Sequence, residues 1–321
     1  MKYFFDAFRL ANQCHPKPSQ LRKRISLILK LHFAFPHLIR EVEGFFSANE
    51  IRQFLFALPE FRPEIYKQQT HSWLYRNSTH DKRIKYLKDH FQFLEQTHNH
   101  YSIKQIYMDK FTHFSIKVGP NNLAINLRYA GHILREGMLS LTVDFNSSTI
   151  CRLTFWFSII DGKKSLVIGC LQGKGNALDD FKEFTKTLFG IRPQNMAIIA
   201  LRIYAASLGI EQILTFPKKR LHSKRISKDS HLDDLWTEQG KQPLNAMYIK
   251  ISSITIRKTI TNVSTHKRSL YKKRYAFLDN LEAEFLVFLN KHTLHEYSEA
   301  NLAQSIAQQK LQASLPIIVT P

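Results

Sequence analysis

The dipeptide Asp161-Gly162 constrains the fold of this chain more than any other local feature. It lies between two runs rich in β-branched and aromatic residues, 150–160 and 165–172. Asp-Gly supplies the two positive φ angles of a type I′ turn, whose twist matches that of the flanking strands. We therefore expect these two runs to form an antiparallel β-hairpin.

A two-residue turn also fixes the register of the hairpin. It places Cys151 opposite Gln172 and Leu153 opposite Cys170, so both cysteines should lie on one face of the sheet. We interpret them as two core thiols in preference to a redox pair. Together with Cys14 they are the only cysteines, and no C-x-x-C spacing occurs. This excludes a disulfide framework and a zinc ribbon, and it favours a reducing compartment.

The sequence after the hairpin has the pattern of a β-α-β crossover. Two helices are predicted over 177–189 and 194–208, followed by a strand over 210–216 that Pro217 ends. A crossover of this kind joins parallel strands of one sheet. The strands 165–172 and 210–216 should therefore be parallel neighbours.

Helical and strand-forming sequence are separated along the rest of the chain. Apolar residues recur at helical spacing over 21–29, 48–58, 82–96 and 266–289, and β-rich runs occupy 111–118, 123–129, 138–145 and 243–260. The expected fold class is α/β (α+β), with a helical N-terminal region followed by a mixed sheet. The expected division is a helical region at 1–105, a mixed α/β core at 106–290 and a polar tail at 291–321.

The charge of the chain indicates an anionic partner. There are 46 Lys and Arg residues against 26 Asp and Glu, a net charge of +20. Residues 211–275 alone carry 15 basic and 5 acidic residues. Nucleic acid, lipid headgroups and a phosphorylated ligand all fit such an excess. Nucleic acid is not excluded, although no RRM, KH or helix-turn-helix signature occurs.

The crossover predicts where an anionic ligand would bind. In open α/β sheets ligands bind beyond the carboxyl ends of the strands, and here those ends lead into a glycine-containing turn and a basic loop. A solvated basic loop is an equally good interpretation. The candidate ligand-binding residues are Gln172, Gly173, Gly175, Arg192, Lys218, Lys219 and Arg220.

Three further residues are candidates for acid–base chemistry. His222 lies beside the basic loop and titrates near neutral pH. Asp234 and Glu238 flank Trp236 and would share one face of a strand, although a structural role is favoured for them.

Two arginines of this region have expected ion-pair roles. For Arg192 we favour an ion pair with Asp180 over a phosphate clamp. For Arg202, inside an apolar helix, we expect a buried salt bridge.

Several enzyme classes lack their signatures. Leu178 occupies the place of the third glycine in a dinucleotide fingerprint, and no P-loop, nucleophile elbow or H-E-x-x-H helix occurs. His292 and His295 could share a helix face, but no matched carboxylate or cysteine cluster accompanies them. No metal is expected.

The stretch Gln172-Gly173-Lys174-Gly175-Asn176-Ala177 fits Q-x-x-G-x-A. It resembles the pyrophosphate-binding turn of GNAT-superfamily acetyltransferases, in which helix N-terminal amides hold the phosphates of coenzyme A. The resemblance implies a GNAT-like core and a coenzyme A thioester as ligand. Asp179 and Asp180, in the first turn of the helix, depart from this by placing negative charge near the phosphates.

A longer resemblance covers residues 20–290. It is carried by Ile168–Gly173, Gly190–Pro193, Ala200–Arg202, Leu208–Ile210, Asp234–Gly240 and Tyr271–Asp279, with Lys241 replacing an expected glycine. These elements are similar to those of the VirK/YbjX family (the DUF535 domain). The resemblance implies a bacterial protein of unestablished biochemistry, associated with virulence, outer-envelope integrity and tolerance of antimicrobial peptides.

The sequence predicts a soluble, cytoplasmic protein. Asp6 and Arg9 interrupt the apolar N-terminus, and the longest apolar run is far shorter than the roughly 20 residues of a membrane span. The alternative to an enzyme is a non-enzymatic protein that binds anionic lipid at the inner membrane face through the basic helix 21–29 and the basic cluster 267–274.

Overall fold

The computed structural model describes residues 2–34, 37–70, 73–108, 112–130, 136–221 and 232–294. The fold class agrees with the prediction: a helical N-terminal region precedes an eight-stranded mixed sheet.

In the described residues of the N-terminal region there are seven α-helices. They are α1 (Lys2–Cys14), α2 (Leu21–Leu29), α3 (Leu38–Ser47), α4 (Glu50–Ala57), α5 (Phe61–Thr70), α6 (His80–Thr97) and α7 (His100–Tyr107). Asparagine side chains start two of them, because the Asn49 and Asn99 oxygens accept hydrogen bonds from backbone N–H groups of α4 and α7. A π-helical turn, Lys30–Ala34, extends α2.

The sheet follows in the order β1-β2-β3-β4-β5-β6-β8-β7. Its strands are β1 (Thr112–Val118), β2 (Asn121–Tyr129), β3 (Leu139–Phe145), β4 (Ser148–Ile160), β5 (Lys163–Gly173), β6 (Gln212–Thr215), β7 (Gln242–Pro243) and β8 (Ile249–Ile251). The β-rich run 243–260 thus contributes little strand, since the described chain between 252 and 263 is irregular.

The predicted hairpin of β4 and β5 is confirmed at its turn. Asp161 and Gly162 have φ angles of 51° and 75°, and Ile160 pairs with Lys163. The predicted register holds as far as Phe155, which pairs with Ile168. A β-bulge then shifts the pairing by one residue.

The bulge makes the prediction for the two cysteines wrong. Cys151 pairs with Gly173 and Thr154 pairs with Cys170, so the thiols lie on opposite faces of the sheet. The extra residue is Gly169. A Cβ atom at this position would lie 1.5 Å from the backbone oxygen of Glu136, so the close approach of that segment requires glycine.

The crossover is confirmed. Helices α8 (Leu178–Thr187) and α9 (Pro193–Ser207) connect β5 to β6, and Ser165, Leu166 and Val167 pair in parallel with Gln212, Ile213 and Leu214. Among the described residues, the helices that follow β6 include α10 (Leu232–Glu238) and α11 (Arg268–Asn290).

One buried core connects the N-terminal helices to the sheet. Phe157 of β4 packs against His90 and Phe93 of α6 and against Tyr204 of α9. His90 accepts a hydrogen bond from the Phe157 N–H, and the Tyr204 hydroxyl bonds to His98. Both histidines are buried, and burial lowers their pKa to about 3. They are therefore neutral core residues.

Candidate functional site

The parallel strands β5 and β6 separate soon after they pair. Their last paired residues are Val167 and Leu214, and the Thr215 hydroxyl donates to the Ile168 carbonyl at 3.3 Å. Strand β5 then continues to Gly173, and among the described residues no strand lies beside it on that side. We call the region between β5 residues 168–173 and residues 216–220 the β5/β6 divergence.

Buried backbone borders this divergence. Cys170 and Leu171 are only 7% exposed, although the sheet continues on their β4 side alone. Backbone N–H and C=O groups that are buried require hydrogen-bond partners, and a ligand can provide them. This unpaired strand edge is therefore a candidate binding surface for an extended ligand, which would have to displace whatever buries Cys170 and Leu171.

Aromatic side chains line the base of the divergence. Trp156 of β4 stacks on Phe216, which directly follows β6, with ring centroids 5.7 Å apart. Phe216 also contacts Tyr75 and Tyr248, and the Tyr248 hydroxyl lies 2.7 Å from that of Tyr86. Trp156 is fully buried, and in the described part of the chain its indole N–H has no hydrogen-bond partner.

A strained loop, residues 73–78, forms one wall. Its Leu74 is buried and has a φ of 68°, an unfavourable backbone conformation for a bulky residue. The buried Arg83 holds the loop by donating to the carbonyls of Gln69 and Ser78. Because the Arg76 N–H donates to the Arg220 carbonyl at 2.8 Å, this loop joins the N-terminal helices to the basic segment after β6.

The glycine-containing turn after β5 lies at the far end of the divergence. Lys174 lies 2.8 Å from Asp180 and donates to the Ser148 hydroxyl at 3.0 Å. The position of Gly175 is open, since a Cβ atom there would meet nothing within 4 Å. No side chain caps the N-terminus of α8. The turn is thus accessible, and its lysine is matched by a carboxylate.

Arg192 has a different partner from the one predicted. Its guanidinium pairs with Glu238 of α10, whereas Asp180 pairs with Lys174. The expectation of an Arg192–Asp180 pair was therefore wrong, because α10 lies against the start of α9. The pair unites two predicted site residues, and both side chains are about half exposed.

Arg202 is held without the expected salt bridge. It donates to the Gln239 side chain and carbonyl and to the Ser252 carbonyl, with the shortest distances at 2.8 Å. Burial lowers its pKa to about 10. Arg202 thereby fixes the chain after α10 onto α9, a structural role.

Asp234 and Glu238 belong to a helix, which replaces the strand considered above. They are one turn apart on the exposed side of α10, while Trp236 is buried on the other side. Neighbouring Asp233 lies 3.7 Å from Lys218 and 3.8 Å from Lys241. Asp233 therefore faces a cation that follows β6, whereas Glu238 faces Arg192 at the start of α9.

The predicted cations 218–220 occupy a short 3-10 turn. Lys218 faces Asp233, Lys219 is exposed, and Arg220 is partly buried against the loop 73–78. These residues contact α10 and that loop, whereas the turn at 172–176 contacts Ser148 and α8. The candidate His222 lies outside the described residues, as does His295.

The three thiols are poor candidates for nucleophiles. Cys14, Cys151 and Cys170 are buried, and burial raises the pKa of each to about 12. Within the described ranges, no three His, Cys, Asp or Glu side chains are grouped to hold a metal ion. None of the described helices is long and apolar enough to cross a membrane.

Sequence comparison identifies the family. The chain matches "Protein of unknown function (DUF535)" over residues 16–286. It belongs to the DUF535 family. The chain is also similar to an uncharacterized protein of Haemophilus influenzae, with 29% identity over 46% of this chain and 51% of the relative. Uncharacterized protein YbjX of Escherichia coli is 23% identical over 42% of this chain and 44% of its own length.

These alignments cover about half or less of each relative. They support the VirK/YbjX resemblance, and the names of these relatives state no activity. No solved structure matches the chain significantly.

Proposed function

We propose that the protein binds a coenzyme A thioester in the β5/β6 divergence and transfers its acyl group to an acceptor. The observation that carries this proposal is the separation of the two parallel strands, which leaves β5 residues 168–173 without a paired strand on that side in the described part of the chain. An extended, amide-containing ligand can bind such an edge through backbone hydrogen bonds.

The residues at the end of β5 suit the phosphate groups. The open position at Gly175 lets a phosphate approach the backbone, and the uncapped N-terminus of α8 directs N–H groups and the positive end of the helix dipole toward it. Lys174 of this turn supplies one cation. In this proposal Arg192, Lys218, Lys219 and Arg220, which lie beside α10 and the loop 73–78, supply the others. This support is independent of the Q-x-x-G-x-A resemblance, although both indicate the same turn.

The carboxylates near these cations compete with the phosphates of the ligand. Asp180 and Glu238 occupy the places where phosphate oxygens would contact Lys174 and Arg192. A ligand must exchange these ion pairs for its own. Because half-exposed ion pairs contribute at most about 1 kcal/mol each, the exchange costs little.

The chemical step needs a base and a leaving group. An amine or hydroxyl of the acceptor attacks the thioester carbonyl, the carbon–sulfur bond breaks, and the thiolate takes up a proton. Glu238, Asp234 and His222 are the candidates for moving that proton.

The acceptor follows from the family resemblance alone. Members of the VirK/YbjX family are associated with virulence, the outer envelope and antimicrobial-peptide tolerance. We propose accordingly that the acceptor is an envelope precursor and that the protein acts in the cytoplasm or at the inner face of the inner membrane.

Titration calorimetry with coenzyme A and acyl-coenzyme A at low salt tests the proposal. Gly175→Glu should weaken binding at least about tenfold, because it places a negative charge in the open position beside the phosphates. Gly44→Glu is the matched control: Gly44 is an exposed residue of α3 and also has open space around it.

Two results would contradict the proposal. One is that the unmodified protein binds neither ligand at low salt, where charge contacts are strongest. The other is that both glycine variants bind as the unmodified protein does.

A further inference from the structure

Exposed apolar side chains are concentrated on the first two helices. Leu21, Ile25 and Leu29 of α2 are 56%, 48% and 50% exposed, and Phe33 in the π-helical turn is 74% exposed. They recur at every fourth residue and therefore follow one side of the helix. An α-helical row of this spacing drifts slowly around the axis. The wider π-helical turn counters that drift and brings Phe33 back toward the row.

Helix α1 adds two more aromatic side chains. Phe5 and Phe8 are at least half exposed, while the opposite side of α1 is buried. Arg24 of α2 donates to the Asn12 side chain at 3.2 Å. Phe8 lies one turn before Asn12 on the same side of α1, so it lies on the side that meets α2. We call these six side chains, Phe5, Phe8, Leu21, Ile25, Leu29 and Phe33, the α1–α2 face.

Positive charge surrounds this face. Residues 1–34 contain seven Lys and Arg residues and one acidic residue, Asp6. Arg9 and Arg22 are exposed beside the apolar side chains, whereas Lys23 is exposed on the opposite side of α2. The α1–α2 face thus combines apolar side chains with flanking cations, the combination that inserts into the boundary between acyl chains and anionic headgroups.

The other predicted lipid contact, the basic cluster 267–274, has a different environment. Arg274 donates to the Phe189 carbonyl and Arg268 to the Val263 carbonyl, so both hold local structure. Lys272 and Lys273 are exposed, but they lie beside few exposed apolar side chains. The charge of this cluster is not combined with an apolar row.

We infer that the α1–α2 face binds the surface of an anionic phospholipid bilayer, with its apolar row inserted and its cations among the headgroups. This binding would hold the protein at a membrane in one orientation. It concerns a surface separate from the β5/β6 divergence and does not depend on acyl transfer.

Vesicle flotation of the full chain tests this inference. The probes are phosphatidylcholine vesicles with and without phosphatidylglycerol. The protein should float with the anionic vesicles only. The triple variant Leu21→Gln, Ile25→Gln, Leu29→Gln should lower binding at least about tenfold, because three inserted side chains are lost. Replacing Arg9 and Arg22 by Gln should lower it about fivefold for each cation.

A matched control replaces exposed apolar residues elsewhere. Tyr101→Gln, Ile159→Gln and Val287→Gln remove similarly exposed side chains from α7, β4 and α11. This triple variant should bind the vesicles as the unmodified protein does. Thermal unfolding of both triple variants should match that of the unmodified protein, since all six positions are exposed.

Three results would overturn the inference. The first is failure of the unmodified protein to float with anionic vesicles, or equal flotation with neutral ones. The second is equal loss of binding in both triple variants. The third comes from sedimentation without lipid. If the unmodified protein self-associates and the Leu21, Ile25, Leu29 variant is monomeric, the face is an interface between two copies.

Discussion

The two basic regions of this molecule differ in what accompanies their cations. Around the β5/β6 divergence Lys174, Arg192 and Lys218 each lie beside a carboxylate. On α1 and α2 the exposed cations Arg9 and Arg22 lie among exposed apolar side chains, with one acidic residue in the whole segment. Net charge alone does not distinguish these environments. The first suits a ligand that exchanges ion pairs, and the second suits an extended anionic surface.

The largest expected effect concerns stability at the divergence. Gly169→Ala should lower the free energy of unfolding by about 3 kcal/mol or more, because the new Cβ would meet the Glu136 backbone at 1.5 Å. The Cβ atom added by Gly175→Ala would meet nothing within 4 Å, so this variant should change the free energy of unfolding little. Urea denaturation of both variants measures the difference. Equal stabilities would mean that the bulge does not depend on that close approach.

The second prediction concerns the core on which both regions rest. Burial lowers the pKa of His90 and His98 from 6.5 to about 3, so the unfolded chain binds protons below pH 6.5 that the folded chain does not. The free energy of unfolding should therefore fall as the pH drops below 6.5, by about 1.4 kcal/mol per histidine at pH 5.5.

Urea denaturation at pH 7.5 and 5.5 tests this, and His98→Asn should reduce the loss. Loosening of the core would weaken both vesicle binding and ligand binding. The surface variants described above should weaken only one of the two. A free energy of unfolding that is the same at both pH values would refute the burial of neutral histidines.

The smallest predicted effect has the opposite sign. Asp180→Asn should raise the affinity for coenzyme A about fivefold, because it frees Lys174 and removes a negative charge near the phosphates. Asp179→Asn removes the same charge from a nearly fully exposed side chain that pairs with Lys182, and its effect should be smaller. Calorimetry compares the two. If Asp180→Asn binds coenzyme A more weakly than the unmodified protein, the phosphates do not bind beside Lys174.

Local signals predicted the strand connections but not their distortion. Asp161-Gly162 determines the hairpin turn within two residues, and the crossover needs only the order of strand and helix patterns. The bulge at Gly169 arises from a segment more than 30 residues earlier in the chain. The alternation of apolar and polar residues along one strand does not reveal that the Glu136 backbone approaches Gly169. The register beyond Phe155 could therefore not be predicted.

In the candidate site, too, local features were predictable and tertiary contacts were not. The turn at 172–177 and the cations after β6 are recognisable as sequence, and the structure pairs Arg192 with Glu238. The partner of Arg192 could not be predicted because it depends on how α10 packs. Trp156 and the loop 73–78 were missed because they join the divergence only through tertiary packing. The position of Phe216, an aromatic residue between a strand and a proline, was the one available signal.

Hydrogen exchange measured by mass spectrometry, with ligand and with vesicles, reports on the backbone amides of both proposed binding surfaces in one experiment. Acyl-coenzyme A should slow exchange in peptides spanning residues 168–180 and leave residues 5–33 unchanged. Anionic vesicles should slow exchange in residues 5–33 and leave residues 168–180 unchanged. If acyl-coenzyme A protects no amide in residues 168–180, the ligand does not bind in the β5/β6 divergence.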